Sequence, residues 1–243
     1  MTQPLKGRRS SRVGSDTSRL KEQAAHRAVE FVQSGMIVGL GHGSTAFFAV
    51  KRIADLIRSG ALQNIRGVPC SRKVFEDARR LGIHLTTLNR HSVIDLTIDG
   101  ADEVDEHLNL IKGGGGALLR EKIVAQASLC EIIIVDESKM SPVLGMRCAV
   151  PIEVAPFGWQ SHIFFLEKLG AEVKPRRKSD GKLFKTDHGN IILDANFGPI
   201  SDPAKMAADL KARAGVLEHG LFIGIATDVI VAGKGGLCHL DRD

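Results

Sequence analysis

From Met36 to Asp136 the chain alternates short runs of β-branched and aliphatic residues with segments of helical period, and few architectures accommodate such an order. Met36 to Leu40, Ile65 to Val68, Ile83 to Leu88, Val93 to Ile98 and Glu131 to Asp136 read as strands. Ala46 to Ile57, Arg72 to Leu81 and Leu118 to Leu129 read as helices among them, and Ser18 to Val32 as a helix before them. Strands joined through helices run parallel, so the expected fold is α/β, a doubly wound and mostly parallel sheet. Beyond Pro142 the pattern changes to short strands (Val150 to Val154, Ala171 to Pro175, Asn190 to Ala195) with helices at Trp159 to Leu169 and Pro203 to Ala214. That order suggests a second, smaller α+β domain. Leu221 to Ala232 reads as a strand returning to the main sheet. The expected division is a tail over 1–17, a main domain over 18–144 and 219–243, and the small domain over 145–218.

Composition excludes several function classes. The 243 residues, 43% of them hydrophobic, suffice for one or two cores, and no run approaches the roughly 18 apolar residues of a membrane span. Of the net charge of +5, Lys6, Arg8, Arg9, Arg12 and Arg19 against Asp16 place +4 before Leu20, leaving +1 for the rest. No fold-wide basic surface follows, and no nucleic-acid partner is expected. The polar stretch from Thr2 to Arg12 lacks apolar periodicity and a secretory apolar region, so it reads as a disordered tail of a cytoplasmic protein. Cys70, Cys130, Cys148 and Cys238 are scattered, and the nine histidines show no ligand spacing; reduced thiols and no metal are expected. The basic run Lys174, Arg176, Arg177 and Lys178 reads as a solvated hairpin.

Chemistry concentrates where strands end. Asp99 and Asp102 flank Gly100 and Ala101 at the end of the Val93 run, where open α/β sheets bind ligands. Alone, such a turn is ordinarily solvated. Lys112 and the glycines Gly113, Gly114, Gly115 and Gly116 change that balance, because ordering four glycines costs backbone entropy unless something must approach closely. The loop opens a helix, whose free N–H groups favour an anion or a developing oxyanion. Glu121 lies early in that helix, among apolar residues that fall nearly all round the helical wheel. It serves either the helix dipole or proton transfer as a partly dry base.

A second glycine loop, Gly39-Leu40-Gly41-His42-Gly43-Ser44-Thr45, runs from a strand into a helix. It misses the dinucleotide pattern, since Ser44 stands where the third glycine would fall, and no Walker lysine follows. A single phosphate cradle remains, built from N–H groups with the Ser44 and Thr45 hydroxyls, unless those hydroxyls only cap the helix. Lys21 alone reads as a solvated lysine.

These motifs, with Arg120-Glu121-Lys122 and Asp136-Glu137-Ser138-Lys139, resemble the A-type ribose-5-phosphate isomerases over nearly the whole chain after the tail. The resemblance implies interconversion of D-ribose 5-phosphate and D-ribulose 5-phosphate in the non-oxidative pentose phosphate pathway, without a cofactor. It implies Glu121 as catalytic base, and Asp99 and Lys112 in ring opening and in handling charge on the substrate oxygens. Asp102 would contact a hydroxyl, and Lys21, Ser44, Thr45 and Lys139 would hold the phosphate end. His42, Gly43, Gly100, Ala101, Gly113, Gly114 and Gly115 complete the expected substrate contacts. The same family suggests a Rossmann-like main domain, a ferredoxin-like small domain, and a homodimer or homotetramer. The chain departs from the family loop at His42, where Thr is usual; the ring either faces the substrate or turns away and leaves only its N–H. A sugar-phosphate sensor and a coenzyme A transferase share this type of fold, and Glu121 with Lys112 argues against the first, the Ser44–Thr45 loop against the second.

Overall fold

Aliphatic strands buried on both faces dictate the arrangement. The computed structural model describes the backbone of residues 10–242 and the side chains of residues 16–242. In chain order come α1 (Ser10–Val29), β1 (Ile37–Leu40), α2 (Ser44–Arg58), β2 (Arg66–Pro69), α3 (Arg72–Arg80), β3 (Leu96–Gly100), β4 (Glu103–Val104) and β5 (Leu110–Ile111). Next are α4 (Leu118–Gln126), β6 (Glu131–Asp136), a 3-10 turn (Glu137–Lys139), β7 (Val150–Val154), α5 (Ser161–Lys168), β8 (Glu172–Pro175) and β9 (Ile191–Asn196). The chain closes with α6 (Pro203–Lys211), β10 (Val216–His219), β11 (Leu221–Phe222), β12 (Asp228–Gly233) and β13 (Gly236–Asp241).

Six strands form the main sheet in the order β13-β12-β6-β3-β1-β2, all parallel except β13. Along β6 and β12 neighbouring side chains go to opposite faces. Ile132, Ile134, Ile230 and Ala232 pack with α1 and α2, while Ile133, Val135, Val229 and Val231 pack with Ala125 and Phe222. Both faces are covered, which is why these strands are hydrophobic at every position between their ends. β1 lies between β2 and β3, so the chain reverses its direction of travel there, and a crevice opens beyond the carboxyl ends of β1 and β3. Gly41 continues β1 with its N–H on the Ile98 carbonyl at 3.0 Å. A Cβ at Gly41 would lie 2.5 Å from the Asp99 Cα, so only glycine lets the two strand ends meet.

The elements β7-α5-β8-β9-α6-β10 fold as an antiparallel sheet in the order β10-β7-β9-β8, the ferredoxin-like βαββαβ pattern, around Ile152, Leu166, Leu193 and Leu210. A three-stranded sheet, β11-β5-β4, stands between the two.

Several sequence expectations change. Residues 1–9 of the expected tail lie outside the described residues, but from Ser10 the backbone is helical, ahead of the boundary placed at residue 17. Buried Ala24, Ala25, Ala28 and Val29 anchor α1, and extending an anchored helix through polar residues costs little. Ile83 to Leu88 forms no strand, only a bridge from Leu85 to Gly67. Gly67 spends its N–H and carbonyl on His84 and Thr86, and the next position facing that side, Pro69, has no N–H to donate. The strand expected over Leu221 to Ala232 is broken at Gly224, with β11 pairing β5 and only β12 joining the main sheet. The edge strand β13 was not anticipated; it returns from β12 through Lys234 and Gly235, with Gly233 opposite Gly236.

Candidate active site

Three charged side chains meet below the crevice. The Lys112 ammonium lies 3.0 Å from Asp99 Oδ2 and 3.3 Å from Glu121 Oε1, and donates to the Gly100 carbonyl at 2.5 Å. All three side chains are nearly inaccessible to solvent. Burial works against the ammonium, but the Asp99 and Glu121 carboxylates outweigh it and hold its pKa above the ordinary lysine value. For Glu121 burial dominates and pushes the carboxyl up to about 7 despite the attraction of Lys112. Its second oxygen, Oε2, is buried and has no hydrogen-bond partner among the described residues. A buried carboxylate oxygen without a donor, poised near neutrality, suits a proton acceptor.

Glu121 gets there by an inversion of the usual helix pattern. α4 is buried on most sides, as the wheel suggested, with Leu118, Val124 and Ala125 inside, but the apolar Ile123 is 44% exposed while Glu121 and Lys122 are 5% exposed each. Lys122 faces away from Glu121; it donates to Glu218 Oε1 at 2.7 Å and to the His219 carbonyl at 2.6 Å. Burial lowers its pKa to about 8.

The four glycines serve different needs. Gly113 and Gly116 have φ of 104° and 81°, which L side chains rarely adopt. A Cβ on Gly114 would stand 2.8 Å from Asp102 Oδ1, and one on Gly115 2.5 Å from the His42 ring. Asp102 Oδ2 accepts the Gly114 N–H at 2.7 Å, so the Asp-Gly-Ala-Asp turn and the glycine loop are tied together.

Across the crevice α2 starts at Ser44 after Gly43, whose φ is 112°, and no side chain caps it. The first-turn N–H groups therefore have no intrahelical acceptor and face the crevice with the positive helix end. Lys21 of α1 donates to Ser44 Oγ at 2.9 Å, and thus is a cation placed at that helix end. The His42 ring does not turn away: it stands against Gly115, its Nδ1 is 2.9 Å from Ser71 Oγ, and its backbone N–H is spent on Asp99 Oδ1 at 3.0 Å. Ser71 Oγ also accepts the Val74 N–H at 3.1 Å, so the hydroxyl ties the His42 ring to the start of α3. Burial holds His42 below the ordinary histidine pKa.

The α1–α2 side, the Gly100–Asp102 turn, Lys112 to Gly115, Glu121 and Lys139 enclose a cavity of about 120 Å³. Every expected catalytic or substrate-contacting residue contributes to its wall except Asp99. Asp99 stands behind Lys112 and accepts from the His42 and Gly100 N–H groups; it orients the ammonium from below. Two participants escaped the sequence reading. Glu131, at the start of β6, is buried with both oxygens unpartnered among the described residues, and burial raises its pKa well above the carboxylate range. Arg176, expected in a solvated hairpin, is half-buried and reaches the glycine loop. Among the described residues no group of three His, Cys, Asp or Glu is placed to hold a metal ion, and all four cysteines are free thiols.

Comparison with known proteins gives one consistent result. The family model described as ribose 5-phosphate isomerase A (phosphoriboisomerase A) matches residues 66–236. Ribose-5-phosphate isomerase A of Desulfatibacillum aliphaticivorans is 59% identical over 218 residues, which cover 90% of this chain and 95% of that one. The Chloroflexus aurantiacus protein of the same name is 55% identical over 226 residues, 93% and 95% of the two chains. Among solved structures, a D-ribose-5-phosphate isomerase in complex with phospho-erythronic acid superposes with a TM-score of 0.91 at 38% identity, covering 93% of this chain and 99% of that one. The Plasmodium falciparum ribose 5-phosphate isomerase superposes with a TM-score of 0.90 at 44% identity and the same coverage.

Proposed function

The chain belongs to the ribose 5-phosphate isomerase A family and is an aldose–ketose isomerase of ribose 5-phosphate and ribulose 5-phosphate; we propose that Glu121 is its catalytic base. The observation that carries this reading is the unpartnered Glu121 Oε2 in a buried carboxyl whose pKa is about 7. The phosphate of the open-chain sugar rests on the first turn of α2, held by Lys21, Ser44, Thr45 and Lys139. Carbons 1 and 2 then lie over Glu121 and the glycine loop.

Glu121 takes the proton from C2; the C–H pair forms the C1–C2 double bond, and the carbonyl pair moves onto O1. The resulting enediolate carries its charge beside the Lys112 ammonium and the Gly113–Gly115 backbone. A proton passes from O2 to O1, Glu121 returns its own to C1, and a carbonyl forms at C2. None of these steps calls for a nicotinamide or a metal ion. Donors already in place stabilise the enediolate by roughly 2.7–4 kcal/mol each where they are well aimed. Asp99 acts through Lys112, holding the ammonium charged and aimed. Gly100, Ala101 and Asp102 supply the edge against which the sugar hydroxyls rest.

The same reading makes the enzyme part of the non-oxidative pentose phosphate pathway, a cytoplasmic homodimer or homotetramer. The strongly exposed Phe157 and Phe164 of the small domain offer apolar surface for a second copy. Separate cores under the two larger sheets support the domain division over 18–144 with 219–243, and 145–218, although Ile111, Leu144 and Leu221 pack into the smaller core. The test is conversion of ribose 5-phosphate by purified protein in chelator, with Glu121→Gln alongside. Wild type forms ribulose 5-phosphate, and the variant loses about 10²–10⁴-fold in rate; near-equal rates would overturn the assignment of the base.

A further inference from the structure

Arg176 leaves the end of β8 and reaches across to the glycine loop of the main sheet. Its Nη1 donates to the Gly113 carbonyl at 2.7 Å and to the Gly114 carbonyl at 3.0 Å. Its Nε donates to Asp194 Oδ2 of β9 at 3.0 Å, and Nη2 donates to Oδ1 of the same carboxylate. A planar guanidinium seated two-pronged on a carboxylate has little freedom left, so its remaining N–H groups are aimed at those two carbonyls.

Those contacts determine where the loop's own donors point. The peptides are trans, so each carbonyl and the N–H of its own peptide unit face opposite ways. With the Gly113 carbonyl on Arg176, the Gly114 N–H is turned to Asp102 Oδ2. With the Gly114 carbonyl on Arg176, the Gly115 N–H is turned away from it, and that N–H has no partner among the described residues. Gly115 forms part of the wall of the substrate cavity; Arg176 does not. The same hairpin holds the far end of the loop, where Phe184 packs so closely on Gly116 that a Cβ would lie 2.5 Å from its ring.

We propose that Arg176, with Asp194, is a positioning residue of the isomerisation: it aims the Gly115 N–H at the substrate oxygen that becomes negative in the enediolate. The small domain thereby takes part in the chemistry without touching substrate. This inference rests on the isomerase reading given above.

Arg176→Ala, Arg176→Lys and Asp194→Asn test it, each with kcat and KM for ribose 5-phosphate and affinity for phospho-erythronic acid, whose carboxylate stands in for the enediolate oxygens. Losing the aim of one such donor lowers kcat by about 10²-fold, the lower end for loss of an oxyanion donor. KM stays within about threefold, since the phosphate grip is untouched. The analogue weakens by about the same factor as kcat/KM, because both report the enediolate-like state. Arg176→Lys falls between, an ammonium being unable to hold two carbonyls and a carboxylate at once. Added guanidinium ion restores part of the Arg176→Ala rate, which a general loss of packing would not allow. A kcat within about twofold of wild type, or a KM rise with kcat unchanged, would overturn the proposal. If Arg176→Ala fails to fold, Asp194→Asn decides, since it keeps the arginine and frees its aim; an unchanged kcat there is equally fatal. Wild-type protein inactive on ribose 5-phosphate would remove the isomerase reading itself, whereas active wild type with unaffected variants removes only the role of Arg176.

Discussion

Replacing Glu121 by glutamine stabilises the protein while stopping its reaction, and the gain in stability grows with pH. Burial raises the Glu121 carboxyl from its ordinary 4.5 to about 7, with Lys112 opposing and outweighed. A pKa above the unfolded value means that the folded state holds this proton more tightly. The stabilisation is complete below pH 4.5 and disappears as pH rises through about 7. The interval, at about 1.36 kcal/mol per pH unit, comes to about 3 kcal/mol of cost for holding an ionised Glu121 in the fold. Glutamine carries no charge to desolvate and keeps an oxygen for the Lys112 ammonium. The stability difference between variant and wild type should therefore be flat below pH 4.5, rise between 4.5 and about 7, and level off about 3 kcal/mol higher. For a protein of this size that is about 6–12 °C in Tm. Urea unfolding of both proteins across this range is the assay, taken as a difference so that a shifted group that does not feel Glu121, such as Lys122, cancels. A difference independent of pH, or a variant less stable than wild type at pH 8, would refute the account of Glu121 as a dry, reluctant carboxylate.

Since the base works ionised, kcat/KM should rise with pH along an acid limb centred near 7, and a limb near the ordinary 4.5 would contradict the burial argument. Lys21→Ala removes a cation hydrogen-bonded to Ser44, a group that grips phosphate equally before and during reaction, so KM should rise about tenfold with kcat nearly unchanged in steady-state kinetics. Gly115→Ala forces a methyl to within 2.5 Å of the His42 ring, and should abolish most activity in this chain but far less in the His42→Thr background. A double-mutant cycle should show coupling of about 1–3 kcal/mol between the two positions, and simple additivity would argue that the ring does not stand against the loop.

The site was legible because its residues are costly in any other role. Four ordered glycines, a lysine before them and a carboxylate in the helix after them have no cheap structural explanation together, and the cavity wall is made of the residues that sequence reasoning selected. Asp99 was found but its station was not: a strand-end acid reads as a ligand contact, while the fold sets it behind Lys112, which sequence spacing cannot reveal. Arg176 was misread because its meaning lies 63 residues away at Gly113; locally it is one of several basic residues in a hairpin, and Lys174 and Lys182 there are indeed exposed. Glu131 begins a run of aliphatic residues, where a charged strand end is ordinarily solvated, yet the fold buries it with neither oxygen partnered among the described residues. The failure at Ile83 to Leu88 has a local cause that was present in the sequence: Pro69 removes the donor a sixth parallel strand would need. The hairpin to β13 was also signalled, by Lys234 and Gly235 between Gly233 and Gly236, but an edge strand open to solvent carries no hydrophobic run to mark it.

The central claim is that Glu121 carries a proton between C2 and C1, and isotope exchange tests it most directly. Ribose 5-phosphate is incubated in deuterium oxide with wild type or with Glu121→Gln, and the products are read by NMR. The account predicts deuterium at C1 of the ribulose 5-phosphate made by wild type, acquired while the proton sits on a carboxylate that exchanges with solvent. It predicts no exchange above background for the variant, which still binds the substrate. Deuterium incorporation by Glu121→Gln at a rate near that of wild type would place the base elsewhere.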